Sequence, residues 1–373
     1  MWTKVKTSEL ESEMLAKRPS SRRSSAMQRQ PLEVQTIYAE LLEQLAVYEA
    51  TRTIGHTSGS FVTKMVKGQE YYYFQHVGPG GTKRQTYLGR RDTKLDELAD
   101  RFAEGRANIA DDRRSIERLA ALLRAGGAMT VDAPSTRVLR ALADAGVFYA
   151  GGVLVGTHAF IVLGNLLWVR WSTSLRTQDV GIAVDPTLDI AAPGMSADLP
   201  SALESLERGF LPVPGLDPKS PTTSFKVRGQ SLRVDLLTPA SGVRSHPVSM
   251  PRFGTAARAL RFLDFLIEST VTAAAVGGEV VAVNVPDAAR FALHKLVIAG
   301  ERPAAMQSKR EKDLSQAAQL LEVLHEDRPG DLTLAREALA GHGESWTGRV
   351  AKSLSALDRI SPVAARSVRE LAG

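Results

Sequence analysis

The chain has 373 residues, 43% hydrophobic and 24% charged, with no cysteine, a formal charge of +6 and a pI near 9.5. That length accommodates two or three domains with cores of their own, and the absence of cysteine excludes disulfides, Cys-ligated zinc and thiol nucleophiles together. No apolar run reaches the roughly 20 residues of a membrane helix and no signal-type segment opens the chain, so a soluble cytoplasmic protein without a membrane partner is expected; its basic balance favours a polyanion, nucleic acid or nucleotide.

Residues 1–30 carry seven Lys or Arg against three Glu in a Ser-rich stretch. This reads as a disordered basic arm, with RNA contact the sharper alternative. Val34, Ile37, Leu41, Leu42, Leu45 and Tyr48 recur at helical intervals and predict an amphipathic helix over 32–50 that packs on a domain. Two β-rich runs then flank Gly78, Pro79, Gly80 and Gly81, with an earlier turn at Lys67 and Gly68, and predict a small antiparallel sheet of three strands. Its Tyr71, Tyr72, Tyr73, Phe74 and Tyr87 lie among Lys64, Lys67, Lys83, Arg84, Arg90 and Arg91. Two readings stand: alternate aromatics form a core, or the rings stack on bases while the cations meet phosphates. Residues 93–126 read as a charged helix, and STRVLRALADAGVF as a second, Ser-capped helix ending at Gly146.

From Gly151 the pattern becomes strand, turn, helix, strand: VLVGT, HAFIVLGNLLWVR, DVGIAV. ALESLERGF follows as a helix, TSFKV and LRVDLLT as strands joined at Arg228 and Gly229, and VVAVNV as a later strand. The mixed order indicates an α/β core with a short, largely antiparallel sheet. Beyond Pro286 nearly everything is helical. The expected organisation is an arm at 1–30, an N-terminal helix, hairpin sheet and linker helices at 31–150, the α/β core at 151–285, and a C-terminal helical subdomain at 286–373.

Transfer of a phosphoryl or nucleotidyl group needs positioning and charge neutralisation more than covalent chemistry, and Mg²⁺ wants hard oxygen ligands such as carboxylates on rigid strands. Residues 179 and 181 share a strand face, so Asp179 can face a metal beside the sheet while Gly181 cannot. Asp185 has the same parity but lies about 13 Å further along an extended strand. Asp235, between alternating apolar residues, is the second carboxylate. Gly156 and Thr157 close an apolar strand and open a helix, a turn that lets backbone N–H groups and a hydroxyl approach phosphate. His158 reads as structural or capping rather than as a general base, and His294 as the better candidate for nucleotide contact. Arg170 and Trp171 either line a cleft or serve interdomain packing.

The ordered set resembles the nucleotidyltransferase-fold superfamily, whose mark is Gly-Gly or Gly-Ser before a helix, an Asp-x-Asp strand, and a third Asp on a later strand. It is more closely similar to bacterial nucleotidyltransferase-like proteins in which a basic, aromatic hairpin (Gly59, Ser60, Phe61, with Tyr87, Leu88 and Gly89) precedes the core. RFLDFLIE, VPDAARFALHKLVIAGER and KREKDLSQAAQLLEVL then follow, so that the likeness spans roughly residues 55–335. The resemblance implies a mixed-sheet nucleotidyltransferase core, Gly156 and Thr157 at the nucleotide phosphates, Asp179 as a catalytic metal ligand and Asp235 as the third carboxylate, with Mg²⁺ or Mn²⁺ as cofactor. It implies an NTP substrate and NMP transfer to an RNA end, such as that of tRNA, or to a protein. The superfamily's second Asp falls on Gly181, so the alternative is an impaired nucleotide- or RNA-binding module acting as a sensor. The pattern of Lys295, Arg302, Lys312 and Asp313 is similar to that of the toxin partners of toxin–antitoxin modules, which implies an antitoxin or operon partner. Lys295 and Arg302 then meet a triphosphate tail, or else belong to a solvated helix face.

Overall fold

In a computed structural model the described residues are 27–55, 60–77, 83–172, 177–186, 197–206, 209–214, 221–227, 229, 231–240 and 246–371. The basic arm of residues 1–26, the glycine-rich tip 78–81 and Arg228 lie outside them.

β1 (Gln28–Arg29) leads into α1 (Leu32–Gly55), whose buried Val34, Tyr38, Leu41, Leu45 and Tyr48 follow the predicted stripe. β2 (Ser60–Val66), β3 (Gln69–Val77) and β4 (Lys83–Arg90) form the predicted antiparallel sheet, in the order β2-β3-β4. The aromatics divide between the two faces of the sheet. Phe61, Tyr72 and Phe74 turn to α2 (Thr93–Ala125), where Phe61 and Phe74 meet Phe102 at 5.3 and 5.6 Å between ring centroids and the Tyr72 hydroxyl donates to Asp96 at 2.6 Å. α1 and α2 pack together through Tyr38, Leu41, Leu45, Leu119 and Leu123, so α1 does pack on its neighbours as expected. In α3 (Ala133–Asp144) the expected serine cap is corrected: Asp132 is the N-cap and accepts the Ser135 backbone N–H at 3.0 Å. The short carboxylate reaches the N3 amide, which leaves Ser135 inside the first turn and buried.

The core follows in the sequence β5 (Val153–Val155), α4 (Gly156–Leu166), β6 (Val169–Arg170), β7 (Asp179–Ala183), α5 (Leu199–Glu204), β8 (Phe210–Pro212), β9 (Ser224–Val227), β10 (Arg233–Pro239), β11 (Pro247–Met250) and β12 (Thr255–Leu260). These strands make a seven-stranded mixed sheet in which β1 and β6 take no part; the two pair with each other. The expected antiparallel pairing holds towards the edges. At the centre β10 runs parallel to β7 and to β12, because the intervening chain crosses over rather than turning back. α6 (Leu263–Ile267) precedes a separate hairpin of β13 (Thr270–Val276) and β14 (Val280–Pro286).

The C-terminal part is helical as predicted: α7 (Ala288–Glu301), α8 (Gln307–Asp327), α9 (Pro329–Gly341), α10 (Glu344–Ile360) and α11 (Pro362–Glu370). One buried apolar cluster runs from Val131 to Val368 and contains the central strands, α4, α7 and α8. Phe160 on α4 stacks on Trp171 at 4.4 Å and on Phe291 of α7 at 6.4 Å. Truncating such a side chain to alanine costs about 3–5 kcal/mol. Trp171, whose indole N–H donates to Phe160 O at 2.5 Å, is a packing residue, while Arg170 remains exposed.

Candidate active site

Strand register assembles the carboxylate face. Directly paired residues share a sheet face and alternate residues return to it. Lys226, Arg233 and Asp179 form one row across β9, β10 and β7. The next row reads Ser224, Asp235, Gly181 and Val155. Asp179 and Asp235 therefore stand on the same face, offset by one row, and Gly181 is the direct neighbour of Asp235. The Ser224 hydroxyl donates to Asp235 Oδ1, which fixes the carboxyl group and leaves Oδ2 outside that bond.

Gly181 has a local physical cause. A Cβ built there would come within 3.1 Å of Val155 Cγ2 and 3.6 Å of Leu237 Cδ1. The Val155 side chain would have to give by a few tenths of an ångström to admit a larger residue there. Among the described residues, no group of three His, Cys, Asp or Glu stands close enough together to hold a metal ion. The two carboxylates suit a single hard cation, since Mg²⁺ is commonly held by one or two carboxylates with substrate phosphates and water completing the octahedron. They do not suit two metals bridged by a shared carboxylate pair.

Val155 is also the N-cap of α4, with no side-chain hydrogen bond to the helix N-terminus. Gly156 adopts φ 72°, a left-handed conformation natural to glycine, and a Cβ there would meet nothing within 4 Å. The turn thus stays open to an approaching group, and Thr157 behind it is buried. Two residues into the helix, His158 is fully buried with Nε2 3.7 Å from Asp132 Oδ2. The His158 imidazole, then the Ser135 N–H and hydroxyl, hold the Asp132 carboxyl down at about 2 against the effect of its partial burial. His158 is a structural residue, as the sequence reading held.

Opposite the sheet, α7 and α8 supply cations. Lys295 Nζ donates to Asp313 Oδ1 at 2.7 Å and Arg302 Nε donates to Asp313 Oδ2 at 2.8 Å. Their side chains are 13% and 26% exposed and that of Asp313 is 6% exposed, which rules out a solvated helix face. Burial alone would raise the Asp313 carboxyl; Lys295 first and Arg302 second hold it below the ordinary carboxylate range. Partial burial, then the Lys295 charge, lowers the adjacent Lys312 ammonium, against the pull of Asp313 and of Asp179 across the cleft.

Between the two walls lies a cavity of about 410 Å³. Val155, Gly156 and Leu237 line its sheet side, Phe262, Leu266, Phe291 and Ile298 make it apolar, and Lys295, Arg302 and Asp313 close one end. His294 also lines it. Burial first, and then Lys295, push its imidazole down to about 3, so it is neutral at physiological pH. Neither ring nitrogen has a hydrogen-bond partner among the described residues.

Gly156, Lys295 and Arg302 line the cavity, with Thr157 buried behind the glycine turn; Asp179 and Asp235 stand on the sheet face that carries Val155 and are not among the lining residues. Sequence reasoning gave no role to Ser224, Lys226, Arg233 or Val155. Their only signal lies in strand pairing, which the sequence does not display. A glycine turn, an uncapped helix N-terminus and carboxylates on one sheet face are the parts with which an α/β protein holds nucleotide phosphates. Residues 133–340, more than half of the chain, match the sequence profile of a family described as nucleotidyltransferase, and the chain belongs to that family. The matched residues contain the whole cleft but not the N-terminal sheet. No curated protein and no solved structure matches the chain. Among the described residues no helix is long and apolar enough to cross a membrane.

Proposed function

We propose that the chain transfers a nucleoside monophosphate from an NTP to a hydroxyl on an RNA end, such as that of tRNA, or on a protein. The observation that carries this reading is the common sheet face of Asp179 and Asp235, which continues through Gly181 to Val155 beside the open Gly156 turn. The α4 N-terminal N–H groups and Thr157 receive phosphate oxygens at the positive end of the helix dipole. Lys295, Arg302 and Lys312 neutralise the β- and γ-phosphates. The apolar walls exclude water, which strengthens each of these charges.

In the reaction the acceptor hydroxyl oxygen forms a bond to the α-phosphorus. The bond from that phosphorus to the α–β bridging oxygen breaks, and pyrophosphate leaves with the electron pair. Asp235 Oδ2, the oxygen that Ser224 does not engage, takes up the hydroxyl proton. Asp179 and Asp235 are the residues that would hold a divalent cation, Mg²⁺ or Mn²⁺, which supplies Lewis-acid stabilisation of charge on the transferring phosphoryl group. Arg233, paired with Asp179 in the sheet, supports the same charge from the protein side.

Incubation with Mg²⁺, each α-³²P-labelled NTP and total tRNA or protein tests the proposal. Label enters an acceptor with the wild type and is lost in Asp179→Ala; no incorporation with any NTP would sink it. The second reading, a binding module acting as a sensor or as one half of a toxin–antitoxin pair, is favoured by one observation, the packing of Val155 over Gly181. It requires tight NTP binding by calorimetry without incorporation.

A further inference from the structure

The face of the N-terminal sheet turned away from α2 has no role in the cleft. On it Tyr87, 57% exposed, stands with its ring centroid 6.0 Å from that of Tyr71 and 5.5 Å from that of Tyr73. Lys64 lies over the Tyr73 ring at 5.0 Å, and Arg90 pairs with Tyr71 in the strand register. Gln85 Nε2 donates to Gln75 Oε1 at 2.8 Å beside them. Among the described residues of this face there is no carboxylate, whereas Glu70 and Asp96 belong to the covered side.

Burial does not explain these rings. A sheet that needed its tyrosines only for a core would keep them on the α2 face, where Phe61, Tyr72 and Phe74 already fill the contact. Three clustered rings, Tyr87 exposed and Tyr71 and Tyr73 half-buried, with cations beside them and no opposing charge are complementary to a polyanion that presents flat groups. Unpaired bases do so; a duplex offers only base edges to a flat sheet. The phenol hydroxyls and the glutamine amides add donors and acceptors of the kind that meet ribose 2′-hydroxyls.

We propose that this face is a docking platform for single-stranded RNA, with bases laid on Tyr71, Tyr73 and Tyr87 and phosphates running past Lys64 and Arg90. That the bound strand is also the acceptor rests on the nucleotidyl-transfer reading above. The binding itself does not.

The test is fluorescence anisotropy of the full chain with a labelled 12-nucleotide RNA, the same sequence as single-stranded DNA, and a duplex DNA. The wild type binds the RNA most tightly. Tyr73→Ser with Tyr87→Ser weakens it by roughly 10-fold or more, the order expected for losing stacked bases. Because both rings reach solvent, circular dichroism and the melting temperature stay close to wild type. In Lys64→Gln with Arg90→Gln the slope of log affinity against log salt falls by about 0.7 for each phosphate contact removed. RNA affinity unchanged in the tyrosine double variant overturns the proposal, as does duplex DNA bound at least as tightly as RNA. Asp179→Ala is carried in parallel in the transfer assay alone. If the tyrosine variant loses RNA while the wild type transfers no nucleotide, the reaction reading fails and the platform stands; if transfer depends on Asp179 but RNA ignores the tyrosines, the reverse holds.

Discussion

The two walls of the cleft differ in how fully they are built. On the helical wall Asp313 receives both Lys295 and Arg302 and is nearly fully buried, on a helix whose Leu314 and Leu321 share one apolar cluster with Leu293 and Leu296 of α7. On the sheet wall Asp179 is exposed, Asp235 has Ser224, and the position between them is glycine under Val155. The helical wall is thus a buried, ion-paired triad, while the sheet face keeps two carboxylates on either side of a glycine position.

The largest effect is expected on the helical wall. Asp313→Ala leaves Lys295 and Arg302 as half-buried charges without their shared partner, and removing one member of a buried pair costs about 3–5 kcal/mol. Urea denaturation reads this as a lowered midpoint; a change under 1 kcal/mol would show that the triad is not structural.

Next comes the sheet wall. Gly181→Asp should not restore a third ligand freely, because its Cβ enters the space of Val155. Overpacking of this kind costs about 1–3 kcal/mol. Combined with Val155→Ala, the loss should be less than the sum of the single losses, a coupling that a double-mutant cycle measures. Strict additivity would remove Val155 as the reason for the glycine.

Two smaller effects concern pH. The His294 imidazole is pushed down to about 3 by burial, against an ordinary value of 6.5. The unfolded chain therefore binds a proton that the folded chain refuses, and the stabilising contribution, complete above pH 6.5, is lost as pH falls towards 3. Melting temperatures measured from pH 7.5 to 4 should fall less steeply in His294→Gln than in the wild type. Smallest is Asp132, held at about 2 chiefly by His158. Its contribution is complete above the ordinary carboxylate range near 4 and disappears as pH falls towards 2. Asp132→Asn keeps the cap but loses the pairing, so it should flatten the acid limb of the stability curve by well under 1 kcal/mol, in line with an exposed pair.

Much of this was legible in the residues. The helical stripe of Val34 to Tyr48, the turn at Gly156, and the strands bearing Asp179 and Asp235 follow from periodicity and glycine placement alone. The parallel pairing of β7 with β10 was not, since register depends on distant partners and not on local pattern. Arg233 and Lys226 consequently read as ordinary strand cations. The hairpin strand Thr270–Val276 escaped because its alanines carry little β-propensity. The aromatic run 71–74 offered a core and a binding surface as rivals; alternation sends Tyr72 and Phe74 to the α2 side and Tyr71 and Tyr73 to the other.

On the proposed reaction, Asp179 and Asp235 hold a single cation. The number of Mn²⁺ ions bound per chain is counted by electron paramagnetic resonance with a saturating non-hydrolysable NTP analogue. One ion is expected, lost in Asp235→Asn while nucleotide affinity conferred by Lys295 and Arg302 is only reduced. Two ions per nucleotide in the wild type, or one that persists without Asp235, would contradict it.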